Sequence, residues 1–229
     1  MPARPLVVTT IERPPATALA ALAQAGAATT HECYARTGYL HGIKAITGGV
    51  TIAGAAVTSL SYAGENLMLI ASMEYAQPGD VLVAAVTSPS EHGMFGDVLA
   101  TACTSLGIGG VVLDAGARDV RSVRDMGFPV WSRSVAVSGT VKNTPGWVNI
   151  PVVCGGQIVN PGDAIVADDD GVVVVARADV EAVAKAALEK VSMEQRLRDS
   201  FGSSGVHLMD KGGRRELLAR YLEPRERNA

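Results

Sequence analysis

The apolar positions of this chain follow two rhythms, and the change comes near residue 150. Before it, short β-branched runs alternate with stretches whose apolar residues recur at helical spacing. Pro14–Ala25 is rich in Ala and Leu with Pro at its start, which predicts a first helix. Gly49–Thr58 predicts a strand and Glu65–Ala76 a helix. Pro78-Gly79-Asp80 is a turn into a buried strand over Val81–Val86. Asp97–Leu106 then reads as a helix, Gly110–Leu113 as a strand, Asp119–Met126 as a helix and Pro129–Ser132 as a short strand. Alternation of this kind predicts βαβ units and a parallel sheet.

Past Ile150 the helices drop out. Ile150–Cys154, Gln157–Val159, Ala164–Ala167 and Val172–Ala176 read as short strands, separated by turns at Gly155-Gly156, Pro161-Gly162-Asp163 and Asp168–Gly171. A long final helix follows. Asp179 caps it, and Val180, Val183, Ala184, Ala187, Leu188 and Val191 fall at helical spacing as far as about Arg198. The expected fold is α/β: one layered β/β/α domain of the swivelling type over residues 1–200. Residues 201–229 form a polar C-terminal helical arm placed to pack on a neighbouring subunit.

Composition narrows the function classes. Hydrophobic residues make up 48% of the 229 and aromatics only 4%, so the core is built from small aliphatics. The net charge is −3 with no Lys/Arg block, which argues against nucleic acid as a partner. Apolar runs such as Val172–Ala176 are far shorter than the roughly 20 residues of a spanning helix. Met1–Pro15 carries no signal-peptide apolar region, so a cytoplasmic protein without a membrane partner is expected. Cys33, Cys103 and Cys154 lack zinc-ligand spacing and an even count, and read as buried thiols in a reducing compartment.

Two Gly-rich acidic segments carry the candidate chemistry. In Glu91-His92-Gly93-Met94-Phe95-Gly96-Asp97, two glycines and an acid precede a helix. Unpaired N–H groups at such an N-terminus bind anions, so the amides of Val98 and Leu99 could hold a carboxylate; the plainer reading makes Asp97 an N-cap. Asp114-Ala115-Gly116-Ala117-Arg118-Asp119 reads as the turn after a buried strand, where ligands of open α/β sheets gather. Arg118 could grip a carboxylate and Asp119 a hard cation; the plainer reading is again a cap and a surface salt bridge. If the two segments are neighbours, they make one pocket. His31 is read first as a satisfied buried group and second as a substrate contact; for His92, near the Gly-rich segment, the plain and the substrate-contact readings stand level. Asp168-Asp169-Asp170-Gly171 resembles a cation loop but is better read as a polar hairpin turn. Trp131 and Trp147 read as packing residues.

Gly96-Asp97 and Arg118-Asp119 together resemble the class II pyruvate aldolases that act on 4-hydroxy-4-methyl-2-oxoglutarate and 4-carboxy-4-hydroxy-2-oxoadipate. The resemblance runs over roughly residues 15–200. It includes Thr30-His31-Glu32, Arg36-Thr37-Gly38, Thr87-Ser88-Pro89, Phe128–Trp131, Val148–Val152, Asn160–Asp163 and Val166–Gly171. Ala35 departs from it, standing where the family pattern has Gly. The resemblance implies a homotrimer or dimer of trimers with the site at a subunit interface. It implies Mg²⁺ or Mn²⁺ on Asp119, with Arg118 binding substrate and steadying the enolate. The backbone of Gly96, Asp97, Val98 and Leu99 would hold the pyruvyl carboxylate, with Asp97 orienting a water on the metal. His31 would touch the distal part of the substrate, and Glu194 would be an acid given by a neighbouring subunit. The expected reaction releases pyruvate and a second oxo acid, with oxaloacetate decarboxylation beside it.

An enolate can be stabilised by a Lys Schiff base or by a metal. Lys44, Lys142, Lys185, Lys190 and Lys211 all lie outside the candidate pocket segments, so the metal route is expected. The regulator of ribonuclease activity A shares the pattern and works by binding a protein. The C-terminal helix with Glu194 favours the enzyme over that alternative. A methyltransferase finds no support, because no Gly-rich nucleotide fingerprint with a following acid is present.

Overall fold

The computed structural model describes residues 6–203 and 207–222. In chain order the elements are β1 (Leu6–Val7), α1 (Ala16–Cys33), β2 (Lys44–Ala45), β3 (Ile52–Ser61), α2 (Leu67–Ser72), β4 (Val81–Val86), β5 (Gly93–Phe95), α3 (Asp97–Ser105), β6 (Gly110–Ala117), α4 (Val120–Met126) and β7 (Val130–Val135). Then come β8 (Trp147–Val148), β9 (Val152–Cys154), β10 (Gln157–Val159), β11 (Ala164–Asp168), β12 (Gly171–Val175), α5 (Val180–Ser203) and α6 (Arg214–Ala219). Met1–Leu188 and Glu189–Ala229 form two compact units, and α5 crosses from one to the other.

The first unit is built on the parallel run β3-β4-β6-β7, the set of strands the βαβ rhythm predicts. Successive side chains of a strand face opposite ways. Val57, Leu82, Ala84, Val111, Leu113 and Val130 therefore pack on one face against Leu69, Ala100, Cys103 and Val123 of α2, α3 and α4. Ala56, Val81, Val83, Ala85, Val112 and Trp131 pack on the other, against β9–β12. A strand buried on both faces reads as a continuous apolar run, as Val81–Val86 does. The antiparallel β11–β12 hairpin joins the lower half of β3 and forms the second β layer. Behind it α1 and the first turns of α5 add an outer helical layer, with Leu22, Val180 and Ala184 against Val166, Val173 and Val175. The expected α/β layering is present, with helices on both outer faces.

Two expectations are corrected. The first helix runs on past Ala25 to Cys33 because it is broken, not ended, at Gly26 (φ 79°, ψ 169°). The Asp168 carboxylate accepts the Ala27 N–H at 2.8 Å and so starts the second half of the helix from a turn 141 residues away. Asp114–Ala117 is strand, not turn. Its small residues let β6 continue between β5 and β7, and a side chain at Gly116 would stand 2.2 Å from the Glu91 carbonyl oxygen.

Cys103 and Cys154 are buried, as expected, and burial pushes the Cys103 thiol up to about 12. Cys33 is only partly buried. Trp131 is fully buried with its indole N–H donating to the Asp168 carbonyl at 2.8 Å. Asp168–Gly171 closes the β11–β12 hairpin, as its polar-turn reading had it.

Candidate active site

The two Gly-rich segments meet because β5 pairs in parallel with the extended end of β6. Gly93 lies opposite Gly116 and Phe95 opposite Ala117. That pairing brings the start of α3 beside the start of α4. The approach leaves no room for a side chain at Gly96, whose Cβ would lie 2.2 Å from an Asp119 carboxylate oxygen. Gly93 is confined too, since its Cβ would lie 3.0 Å from that of Arg118. The glycines are therefore explained by the juxtaposition itself, not by backbone freedom.

A cavity of about 200 Å³ opens here, lined by Asn66, Gly93, Met94, Gly96, Asp97, Val98, Leu99, Arg118, Asp119, Thr140 and Lys142. All of these belong to the first unit. Gly96, Asp97, Val98, Leu99, Arg118 and Asp119 are thus together.

Neither carboxylate is spent on a cap. Gly96 is the N-cap of α3 and has no side chain, so Asp97 is the first helical residue. The amides of the first turn, those of Val98 and Leu99 among them, have no partner within the helix and no capping side chain. Asp119 holds the N-cap position of α4 without making the cap hydrogen bond. It sits in the left-handed region (φ 54°), uncommon for a residue with a Cβ and concentrated at functional positions. Its carboxylate turns to Arg118 instead, with Nε to Oδ2 at 3.4 Å and both side chains more than a third exposed. An ion pair this exposed contributes little to stability, at most about 1 kcal/mol.

Other candidates lie elsewhere. His31 lines a second cavity of about 230 Å³ with Ala27, Tyr39, Asp170 and Gly171, where its ring stands edge-on to Tyr39 at 6.3 Å. His92 is exposed and bonds to Ser90 Oγ at 3.1 Å. Glu194 belongs to the second unit, where Lys190 and Arg198 flank it one turn away at 3.4 and 3.7 Å. Asp114 has left the site. Its carboxylate pairs with Arg133 and accepts the Gly155 N–H at 2.9 Å, tying the β9–β10 hairpin to the sheet. Ala35, where the family pattern has Gly, and Arg36 are both left-handed (φ 53° and 60°). The backbone there takes the conformation Gly would favour.

Lys142, although outside both segments in sequence, lines the cavity, so distance along the chain does not keep lysine out of the site. The loop carrying it lies outside both segments. It reaches the site by pairing with residues 64–66: Val141 donates to Gly64 O at 2.9 Å, and Asn66 N donates to Val141 O at 3.2 Å. Asn66 and Thr140 also line the cavity from outside the two segments. Asn66 is buried, and its amide donates to the Met94 carbonyl at 2.8 Å, bracing β5 from below.

A hard divalent cation suits the oxygen donors present. Such an ion commonly binds through one or two carboxylates and completes its shell with water and substrate oxygens. Asp119 and Asp97 supply carboxylates on the same cavity. Among the described residues no group of three or more His, Cys, Asp or Glu is placed to hold a metal ion by itself.

Residues 19–174 match the family model described as RraA-like, Aldolase/RraA. The chain belongs to the RraA-like family. A relative from Halalkalibacterium halodurans, provisionally named a 4-hydroxy-4-methyl-2-oxoglutarate aldolase, is 34% identical over 148 residues, covering 65% of this chain and 70% of the relative. The crystal structure of Streptomyces coelicolor RraAS2, described as an unusual member of the RNase ES inhibitor RraA family, superposes with a TM-score of 0.73. It is 32% identical and covers 82% of this chain and 99% of its own. A structure from Geobacillus kaustophilus titled an S-adenosylmethionine:2-dimethylmenaquinone methyltransferase shares the fold, with a TM-score of 0.60 and 23% identity over 65% of this chain and 93% of its own. At that identity it speaks for fold alone. Among the described residues, no helix of this RraA-like chain is long and apolar enough to cross a membrane.

Proposed function

We propose that this RraA-like chain is a divalent-metal-dependent aldolase. It cleaves 4-carboxy-4-hydroxy-2-oxoadipate or 4-hydroxy-4-methyl-2-oxoglutarate to pyruvate and a second oxo acid, and it decarboxylates oxaloacetate as a side reaction. The observation that carries this reading is the convergence of Arg118, Asp119, Asp97 and the open first turn of α3 on one cavity. The aldolase name of the 34% identical relative supports it.

In the proposed cleavage the C4 hydroxyl loses its proton, the C3–C4 bond breaks, and C4 becomes a carbonyl. The bonding pair passes through C3 to the 2-oxo oxygen, leaving pyruvate as its enolate, which takes a proton at C3. The first-turn amides of α3 hold the C1 carboxylate, so the three-carbon unit stays fixed while the rest departs. The Arg118 guanidinium faces the oxygen on which charge develops. It acts in the transition state more than in the ground state, which is what accelerates a reaction. Asp97 orients the water that takes the hydroxyl proton. Asp119, with Asp97 beside it, would hold Mg²⁺ or Mn²⁺, which supplies Lewis-acid stabilisation of the same oxygen. Glu194 is assigned to the site of a neighbouring subunit, in a trimer or dimer of trimers working in the cytoplasm.

Pyruvate release, followed by a coupled reduction to lactate, tests the reading. Turnover should require Mg²⁺ or Mn²⁺, vanish with chelator and return when metal is restored. Turnover that ignores the chelator rules out the metal role. The likeness to RraAS2 supports a second reading, a regulator that binds a ribonuclease. Absent pyruvate release together with inhibition of ribonuclease E-type activity would favour it.

A further inference from the structure

We propose that Lys142 is the specificity-determining residue for the far end of the substrate, where its ammonium binds a second carboxylate. The assignment rests on the aldolase reading of the cavity and adds the residue that meets the far carboxylate those substrates share.

The position is built. Residues 141 and 143 on either side of Lys142 are pinned through their backbones: Val141 to Gly64 and Asn66, and Asn143 by its N–H donating at 3.0 Å to the Glu65 carboxylate. Glu65 is 5% exposed, so a buried acid is committed to holding this loop. Nearby, a Cβ on Gly139 would come within 3.0 Å of Arg118 Nη1, so the same loop lies against the guanidinium. Lys142 itself is exposed at the cavity, and among the described residues no carboxylate forms an ion pair with it. A firmly held backbone carrying an unpaired cation at a cavity rim is what recognition of an anionic group requires.

Charge balance points the same way. The cavity carries two cations, Arg118 and Lys142, and two carboxylates, Asp97 and Asp119, which cancel. A divalent ion on the carboxylates leaves two positive charges, which a 2-oxo diacid such as 4-hydroxy-4-methyl-2-oxoglutarate matches with two negative ones. The α3 amides and Arg118 occupy the pyruvyl end, so Lys142, on a different loop, is the cation left for the other end. Lysine also suits this role as a long point charge that tolerates tails of different length.

Binding tests this without turnover. Calorimetry with Mg²⁺ compares 2-oxoglutarate, an uncleavable diacid, with 2-oxopentanoate, which has the same chain length and no far carboxylate. The wild type should prefer the diacid by about tenfold or more, as one charged hydrogen bond at a partly exposed site allows. The preference should shrink as salt rises. Lys142→Met should erase it while leaving 2-oxopentanoate binding unchanged, and Lys142→Arg should keep part of it.

A preference that survives Lys142→Met overturns the assignment. So does equal loss of both ligands in a variant that melts like the wild type, since that would put Lys142 at the oxo-acid end. Borohydride trapping of pyruvate on Lys142 would instead make it a Schiff-base nucleophile. A wild type with the diacid preference but no pyruvate release sinks the aldolase reading alone. A wild type that binds neither ligand sinks both.

Discussion

Two acid-rich, glycine-bearing turns of this chain look alike in sequence and do opposite things. In Asp168-Asp169-Asp170-Gly171 the first two carboxylates are consumed by backbone. Asp168 accepts from Ala27 N at 2.8 Å and from Asp170 N at 2.9 Å, and Asp169 accepts from Gly49 N at 3.0 and 3.1 Å. They fasten the β11–β12 hairpin to α1 and to the residues before β3. At Gly96-Asp97 and Arg118-Asp119 the helix starts go uncapped by either acid, and the carboxylates line a cavity beside a guanidinium. Acid count does not separate a structural turn from a chemical one. What separates them is whether nearby N–H groups have already used the oxygens.

Breaking the chemical turn should cost activity and spare the fold. Arg118→Ala should lower pyruvate-forming kcat/KM by about a hundredfold to a thousandfold, the usual loss of one electrostatic stabiliser. The melting temperature should stay close to wild type, because the exposed pair with Asp119 holds little together. Near-full turnover in this variant would remove Arg118 from the mechanism. Gly96→Ala probes the same turn by volume. With φ at −149° the backbone accepts alanine, so the effect comes from the new methyl 2.2 Å from the Asp119 carboxylate. Asp119 must move, and we expect roughly tenfold or more loss of activity with a raised metal requirement, since small misplacements of reacting groups are costly. A metal titration curve that matches wild type would show that the close approach is not what positions Asp119.

Much of this arrangement is legible in sequence, and where legibility fails the reason is the range of the interaction. β4 and β10 were bounded correctly by their apolar runs, and α3 and α4 to within a residue, because local pattern decides them. The end of β6 was misread as turn because Ala115-Gly116-Ala117 has poor strand propensity. Its strand state comes from two flanking partners, β5 and β7. Arg118 and Asp119 were visible as charged residues next to glycine between two apolar periods. Lys142 was not, since its place depends on a backbone pairing with residues 64–66 and on a buried acid 78 positions from Asn143. No local signal encodes that.

The structural turn offers the smaller and sharper contrast. Asp168→Ala removes the acceptor that restarts α1 after its break at Gly26, and leaves the Ala27 N–H without its partner. Loss of such a cap costs about 0.5–2 kcal/mol. In a chain of this size each kcal/mol corresponds to about 2–4 °C in melting temperature. Asp168→Asn keeps an acceptor oxygen and should lose less. Neither variant touches the Arg118 cavity, so kcat/KM and the metal requirement should follow wild type at temperatures well below the melt. Were Asp168→Ala instead to abolish metal-dependent turnover while melting normally, the carboxylates of this hairpin would be acting on the chemistry, and the distinction between consumed and free acids would fail at the residue that illustrates it best.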